Sequence, residues 1–251
     1  MNNSEVYKKE ISKLKVLIIV PAFNEAGSIE NVVSTIKTKC PEYDYLIVND
    51  GSMDETAQIC KDKRFNFVSL PQNLGIGGAV QTGYKYALEN DYDIAVQTDG
   101  DGQHDVSYIK NMLEVMKNEQ ADIVIGSRFI NKEGFQSSAL RRMGIVFLSG
   151  LIKLCTGVRV KDVTSGFRLV NRKFIKIYAS DYPRDYPEPE AIVSAVMHYG
   201  KIKEVPVIMN ERMAGESSIN PMKSIYYMIK VSLAIIICRI SFGRKGKKKK
   251  K

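Results

Sequence analysis

An α/β fold, with a mostly parallel sheet wrapped by helices, is what this 251-residue sequence predicts. Short runs rich in Val, Ile and Leu alternate with stretches of amphipathic helical period, the pattern of parallel strands joined by crossover helices. Those runs end in polar or Gly residues, as the ligand-facing carboxyl ends of such strands do. With 44% hydrophobic and 26% charged residues, the chain can bury the core of one large domain and is neither fibrous nor disordered.

Residues 1–14 are polar and lysine-rich, and the "VLIIV" that follows is too short for a signal sequence or a membrane span. The body is therefore expected on the cytosolic side. A central domain is expected over 15–219, followed over 220–251 by an apolar helix and a basic tail. "KVLIIVPAF" opens the domain as a buried strand and leads into a helical pattern over 28–37. "DYLIVND" precedes a helix over 54–61, and "FNFVSL" precedes one over 77–89. "DIAVQTD" is followed by a helix over 105–117, and "ADIVIGS" ends the alternation. Further on, "YPEPEAIV" starts a helix whose early carboxylates, Glu188 and Glu190, suit the positive end of the helix dipole.

Charge is concentrated at the end. Of the net +9, Arg244, Lys245 and Lys247 to Lys251 supply seven, leaving the body at +2. A nearly neutral body excludes a general nucleic-acid-binding domain, which spreads Lys and Arg along a face that tracks phosphates. Cys40, Cys60, Cys155 and Cys238 are scattered without Cys-x-x-Cys spacing, so reduced thiols are expected rather than a zinc ribbon or disulfide framework.

The segment "NLGIGGAVQTG" lacks the Gly required at Val80 for a dinucleotide fingerprint and the Gly-Lys-Ser/Thr of a phosphate loop. Gly75, Gly77 and Gly78 are read instead as tight entry into a helix packed closely on the sheet. "VQTDGDGQHD" is not an EF-hand loop, because His104 and Lys110 stand where Gly and Glu are needed. Its Asp99 and Asp101 alternate about Gly100 at the end of a buried strand, an arrangement that lets two carboxylates converge on one hard cation. Gln103 offers a neutral oxygen beside them. A Mg²⁺ or Mn²⁺ with so few protein ligands keeps positions open for a diphosphate.

"VPAFNE", "VNDGSMDET", "NLGIGGAVQTG", "QTDGDGQHD", "IVIGSRF" and "VTSGFRLVNR", in this order, resemble the family-2 glycosyltransferases over about 15–219. The closest likeness is to the branch of dolichol-phosphate mannose synthases and bacterial polyprenyl-phosphate glycosyltransferases. The resemblance implies a GT-A fold, a nucleotide-sugar donor, a divalent metal and inversion at the anomeric carbon. It implies that Pro21, Phe23, Glu25 and Asp50 line the nucleotide pocket together with Asp99, and that Asp99, Asp101 and Gln103 hold the metal. Asn49 departs from the family's usual Asp-Asp-Gly-Ser. Arg128 and Arg141 match arginines that hold an acceptor phosphate, Ser165 lies in a loop near the acceptor, and Arg212 of "ERMAGESS" would close over the donor diphosphate. Asp101, Arg128 and Glu190 are the catalytic candidates, with Glu190 facing the donor sugar. For Asp162 and Ser165, turn formation alone is a sufficient explanation.

These residue types suit one chemistry. A cation neutralises the departing diphosphate, while an acceptor that is itself a phosphate monoester needs orienting arginines rather than a general base. The expected reaction moves a sugar, from a UDP-hexose or UDP-N-acetylhexosamine, to polyprenyl phosphate. The alternatives are transfer to a hydroxyl of a glycan or lipid-linked sugar, and a nucleotide-binding regulatory domain without turnover. Over 222–242 the apolar sequence is interrupted by Lys230 and Arg239, so it falls short of the about 20 residues that span a bilayer. Tyr226 and Tyr227 at one end and the lysines at the other suit a helix lying on an anionic leaflet. A helix packed on another subunit is the alternative there, and a small membrane protein is a further expected partner.

Overall fold

β1 (Val16–Ala22) is buried at every position, as a central strand covered on both faces must be. The computed structural model describes residues 14–131, 139–185, 187–210 and 221–248, with side chains left out at 139–140, 221–225 and 243–248. Around β1 lie β2 (Asp44–Asn49), β3 (Phe67–Ser69), β4 (Ile94–Gln97), β5 (Ile123–Ser127), β6 (Arg168–Asn171) and β7 (Ile202–Pro206), in the order β3-β2-β1-β4-β6-β5-β7. All neighbours pair in parallel except β6, which is antiparallel to both β4 and β5. Pro21 sits within β1 beyond the last residue paired to β4, Ile19, so its missing N–H breaks no ladder bond there.

The five strands expected from sequence are present, and β6 and β7 are additions. Neither carries a long apolar run. β6 has only four residues, and β7, at the sheet margin, exposes Lys203 and Glu204 in part, the kind of charge that guards an edge strand.

Eight α-helices lie among the described residues: α1 (Ile29–Lys39), α2 (Thr56–Asp62), α3 (Gly75–Glu89), α4 (Ile109–Asn118), α5 (Ala139–Thr156), α6 (Arg172–Ser180), α7 (Pro187–Met197) and α8 (Pro221–Lys248). One apolar cluster joins α1 and α4 to one face of the sheet, and another joins α3, α5, α6, α7 and α8 to the other. No disulfide joins any of the four cysteines.

The glycine segment does what close packing requires. A Cβ on Gly77 would lie 2.1 Å from the carbonyl oxygen of Pro183 and 2.3 Å from that of Arg184, and one on Gly83 would lie 2.3 Å from Ile19. The Gly77 N–H donates to the Arg184 carbonyl at 3.1 Å. These glycines therefore admit protein rather than phosphate.

α8 is not a loose appendage. Val231 and Ile235 belong to the apolar core, and Lys230 pairs with Asp185 at 2.7 Å. Gly144 of α5 abuts Met228, and Arg239 Nε donates to the Cys155 carbonyl at 2.8 Å, so α5 and α8 run side by side in the same direction. The opposite sides of the pair remain bare: Met143, Val146, Phe147 and Leu154 on α5, and Ile229, Leu233, Ile237 and Ile240 on α8, are exposed. No helix among the described residues is long and apolar enough to cross a membrane.

The packing at Gly77 predicts that Gly77→Ala lowers the unfolding free energy by about 1–3 kcal/mol, through overpacking against backbone. Gly150→Ala, with nothing within 4 Å of its added Cβ on exposed α5, should instead stabilise by about 0.5–1 kcal/mol. Urea titration of both variants gives the comparison.

Candidate active site at the carboxyl edge of the sheet

Because β1 to β5 and β7 run the same way and β6 runs against them, the carboxyl ends of the first group and the start of β6 meet at one edge. The segments carrying Phe23 and Glu25, Asp50, Asp99 to His104, Arg128 and Ser165 are thus brought together. Every candidate strand end read from the sequence lies there.

On the β1–β2 side the polar residues tie loops to one another. Asp50 is buried; its carboxylate accepts from the Leu74 N–H at 2.7 Å and its carbonyl from Asn73 Nδ2 at 3.1 Å. Asn49 donates to Ser69 Oγ at 3.0 Å and accepts from the Ser52 N–H, which gives it a structural task in this loop. The Glu25 N–H donates to Thr56 Oγ1 at 2.8 Å, and Ser28 Oγ lies 2.6 Å from the Glu25 carboxylate and 2.8 Å from the Gly100 carbonyl. Phe23 is 41% exposed above this frame, an aromatic ring open to a ligand.

The 97–105 loop packs against the end of β1. A Cβ on Gly100 would lie 2.8 Å from the Pro21 carbonyl, so this glycine makes room for the protein's own backbone between the two carboxylates. Asp101 is buried and accepts the Gln103 N–H at 3.0 Å. Asp99 is partly exposed and lies 3.2 Å from His104 Nε2. Gln103 reaches the Asn210 carbonyl at 3.5 Å, and His104 forms a β-bridge with Met209. Burial pushes the His104 imidazole down to about 4, against a raising influence of Asp101, so the ring is neutral.

Arg128 is held by Asp162, a residue for which turn formation alone is a sufficient explanation in the sequence. Asp162, wholly buried, accepts from the Arg128 backbone N–H at 3.0 Å, from Nε at 2.8 Å and from Nη2 at 2.7 Å; Nη2 also donates to Thr164 at 3.0 Å. Glu204 in turn accepts from the backbone N–H groups of Lys161 and Asp162 at 2.7 and 2.9 Å. Burial opposes the charge on Arg128, but Asp162, Asp99 and Glu188 outweigh it and hold the guanidinium more firmly protonated than usual. Ser165 is buried and donates to the Gly126 carbonyl at 2.6 Å, so its hydroxyl shapes the loop. Arg168 is also buried, binding the carbonyls of Ser165, Val163 and Glu188.

The two carboxylates of α7 part company. Residues two apart on a helix face opposite ways. Glu188 neighbours Arg168, Asp99 and Gln97, and burial followed by Asp99 raises its pKa against the pull of Arg168. Glu190 instead lines a pocket of about 210 Å³ with Pro183, Arg184, Asp185, Lys230, Val231 and Ala234, and is not brought to the cluster. Arg141 is exposed in the first turn of α5, and Arg212 lies outside the described residues.

The donor set fits a divalent cation of the open kind. Among the described residues no group of three or more His, Cys, Asp or Glu is placed to hold a metal ion by itself. Asp99 and Asp101 nevertheless stand at one sheet edge with Gln103 beside them, an oxygen set that suits a hard cation.

Residues 17–178 match the family described as Glycosyl transferase family 2. The chain belongs to that family. It is a glycosyltransferase, and its fold is of the GT-A type. A UDP-N-acetylglucosamine–dolichyl-phosphate N-acetylglucosaminyltransferase of Methanococcus voltae is 33% identical, over 76% of this chain and 84% of that one. An undecaprenyl-phosphate mannosyltransferase of Micrococcus luteus is 28% identical, over 82% and 88%. Glucosyl-3-phosphoglycerate synthase of Mycobacterium tuberculosis, crystallised with Mn²⁺ and UDP-glucose, superposes with a TM-score of 0.68 at 18% identity, covering 95% of this chain and 83% of that one.

Three side chains around the site of this glycosyltransferase, Arg168, Glu188 and Glu204, are not marked out by the sequence. Arg168 and Glu204 stand inside short strands with no local motif, and Glu188 carried only the helix-dipole reading. The signal that was available is the "KDVTSGF" segment, where Asp162 is followed by the strand holding Arg168.

Burial, then repulsion from Asp181 and Asp185, raises the pKa of Glu190. Between the ordinary carboxylate value and the raised one the folded state binds the proton more tightly than the unfolded chain, so this group favours folding as pH falls through that window and loses that contribution as pH rises. Glu190→Gln should therefore raise Tm at pH 7 and flatten the rise in stability on acidification, as followed by thermal melts from pH 4 to 8.

Proposed function

We propose that this glycosyltransferase moves one sugar from a nucleotide sugar to a polyprenyl phosphate, with inversion, at a membrane surface. The observation that carries the reading is the placing of Asp99 and Asp101 at one sheet edge beside an Arg128 locked in place by Asp162. The named acceptors of the Methanococcus and Micrococcus relatives support the lipid phosphate, and a UDP-sugar is the donor we favour.

Pro21, Phe23, Glu25 and Asp50 would frame the nucleoside, and Asp99, Asp101 and Gln103 would hold Mg²⁺ or Mn²⁺. Such a cation, when bound, neutralises the charge that develops on the diphosphate. An oxygen of the acceptor phosphate attacks the anomeric carbon as the bond from that carbon to the diphosphate breaks, and the nucleoside diphosphate departs. The attacking oxygen is already anionic, so no side chain has to take a proton. Arg128 orients the acceptor, with Arg141 as its partner. Glu188, beside Asp99, takes the sugar-facing role that the sequence reading gave to Glu190.

The bare sides of α5 and α8 support peripheral attachment. An apolar strip ending in Arg244 and the terminal lysines complements a leaflet whose headgroups are anionic.

Purified protein, supplied with membranes and a panel of labelled UDP- and GDP-sugars, should yield a lipid-linked sugar that is stable to mild alkali and labile to mild acid. Asp101→Asn should lower kcat/KM about 10³-fold, equivalent to roughly 4 kcal/mol of transition-state stabilisation. Activity indifferent to EDTA and to this substitution would sink the metal assignment.

Deleting residues 245–251 should release much of the protein from anionic vesicles in flotation assays while a water-soluble short-chain acceptor is still used. Full retention at high salt would place the attachment in the apolar strip alone.

A further inference from the structure

His104 has no part in the reading above, yet its surroundings are more constrained than packing needs. Its side chain is 2% exposed, and its ring stacks on Phe167 with centroids 5.0 Å apart and planes 15° from parallel. Phe167 is pinned from behind, since a Cβ on Gly126 would stand 2.8 Å from its Cδ1. The imidazole backbone is fixed by the bridge to Met209. Gly166 completes the clamp: a side chain there would lie 3.1 Å from Asp99 Oδ1, 3.4 Å from Gln97 Nε2 and 3.6 Å from His104 Cε1.

A ring wanted only for bulk would be better as phenyl. Nδ1 of His104 is buried with no partner among the described residues, a cost that an apolar ring avoids. What offsets it is the other nitrogen, 3.2 Å from Asp99 Oδ2. We propose that His104 is a positioning residue whose Nε2–H donates to Asp99 and holds that carboxylate in one orientation for a divalent cation. The inference rests on the reading of Asp99 and Asp101 as cation ligands. It assigns the hydrogen-bonding partner that keeps a ligand carboxylate from turning away, a role whose loss typically weakens metal binding 10- to 100-fold. The partly exposed Asp99 stands against His104, while Asp101 is buried and accepts the Gln103 N–H.

The test measures Mn²⁺ binding in the presence of UDP, by the free Mn²⁺ signal in electron paramagnetic resonance, alongside UDP binding without metal. His104→Phe keeps the stacking and removes the donor, and should weaken Mn²⁺ binding about 10- to 100-fold while metal-free UDP binding stays within about twofold. His104→Gln, which returns an N–H at similar reach, should recover most of the affinity. Gly126→Ala, pushing on Phe167 from outside the loop, should produce a smaller loss and serves if His104→Phe does not fold. Unchanged Mn²⁺ affinity in His104→Phe, or equal losses in the Phe and Gln variants, overturns the proposal. Asp101→Asn separates the two levels: if it too leaves Mn²⁺ binding intact, the cation site itself is wrongly placed.

Discussion

Opposite charges gathered at one partly buried sheet edge are the constraint around which this site is built. Buried carboxylates repel one another and resist ionisation unless cations face them. Two guanidiniums are supplied from within, and each is immobilised: Arg128 by Asp162 and Thr164, Arg168 by three backbone carbonyls. Neither can swing elsewhere without abandoning those partners. The protein thus folds with both guanidiniums already fixed in place at the edge.

That arrangement depends on chain direction more than on any loop. A single antiparallel strand, β6, returns the chain to the carboxyl edge between β4 and β5, so its start delivers Ser165 to Arg168 into a site otherwise made of strand ends. Glu204, on β7, steadies the loop before β6 through two backbone bonds. The charge on Arg128 is therefore positioned by residues from three separate parts of the sequence.

This distribution explains what could be read in advance. β1, β2, β4 and β5 announce themselves because strands buried on both faces must be continuously apolar, and their polar ends mark the edge. The Asp99 to Gln103 constellation is local, so it was legible. Asp162 and Arg168 look like a turn residue and a strand residue until the fold sets them against Arg128 and α7. Glu188 and Glu190 could not be told apart, because which of the two faces the site depends on the rotation of α7 about its axis. The glycines of α3 were legible as close packing, but the backbone they receive, 183–184, lies a hundred residues away.

The parallel course of α5 and α8 carries an electrostatic consequence. Two helices side by side in the same direction add their macrodipoles instead of cancelling them, so both negative carbonyl ends point the same way. Arg239 answers the first, at the Cys155 carbonyl, and α8 then continues into its lysines at its own negative end. Part of the tail's charge is thus committed to the helix that bears it. Ionic strength consequently acts twice on the same residues, screening them from lipid headgroups and loosening the last turns of α8 that present them.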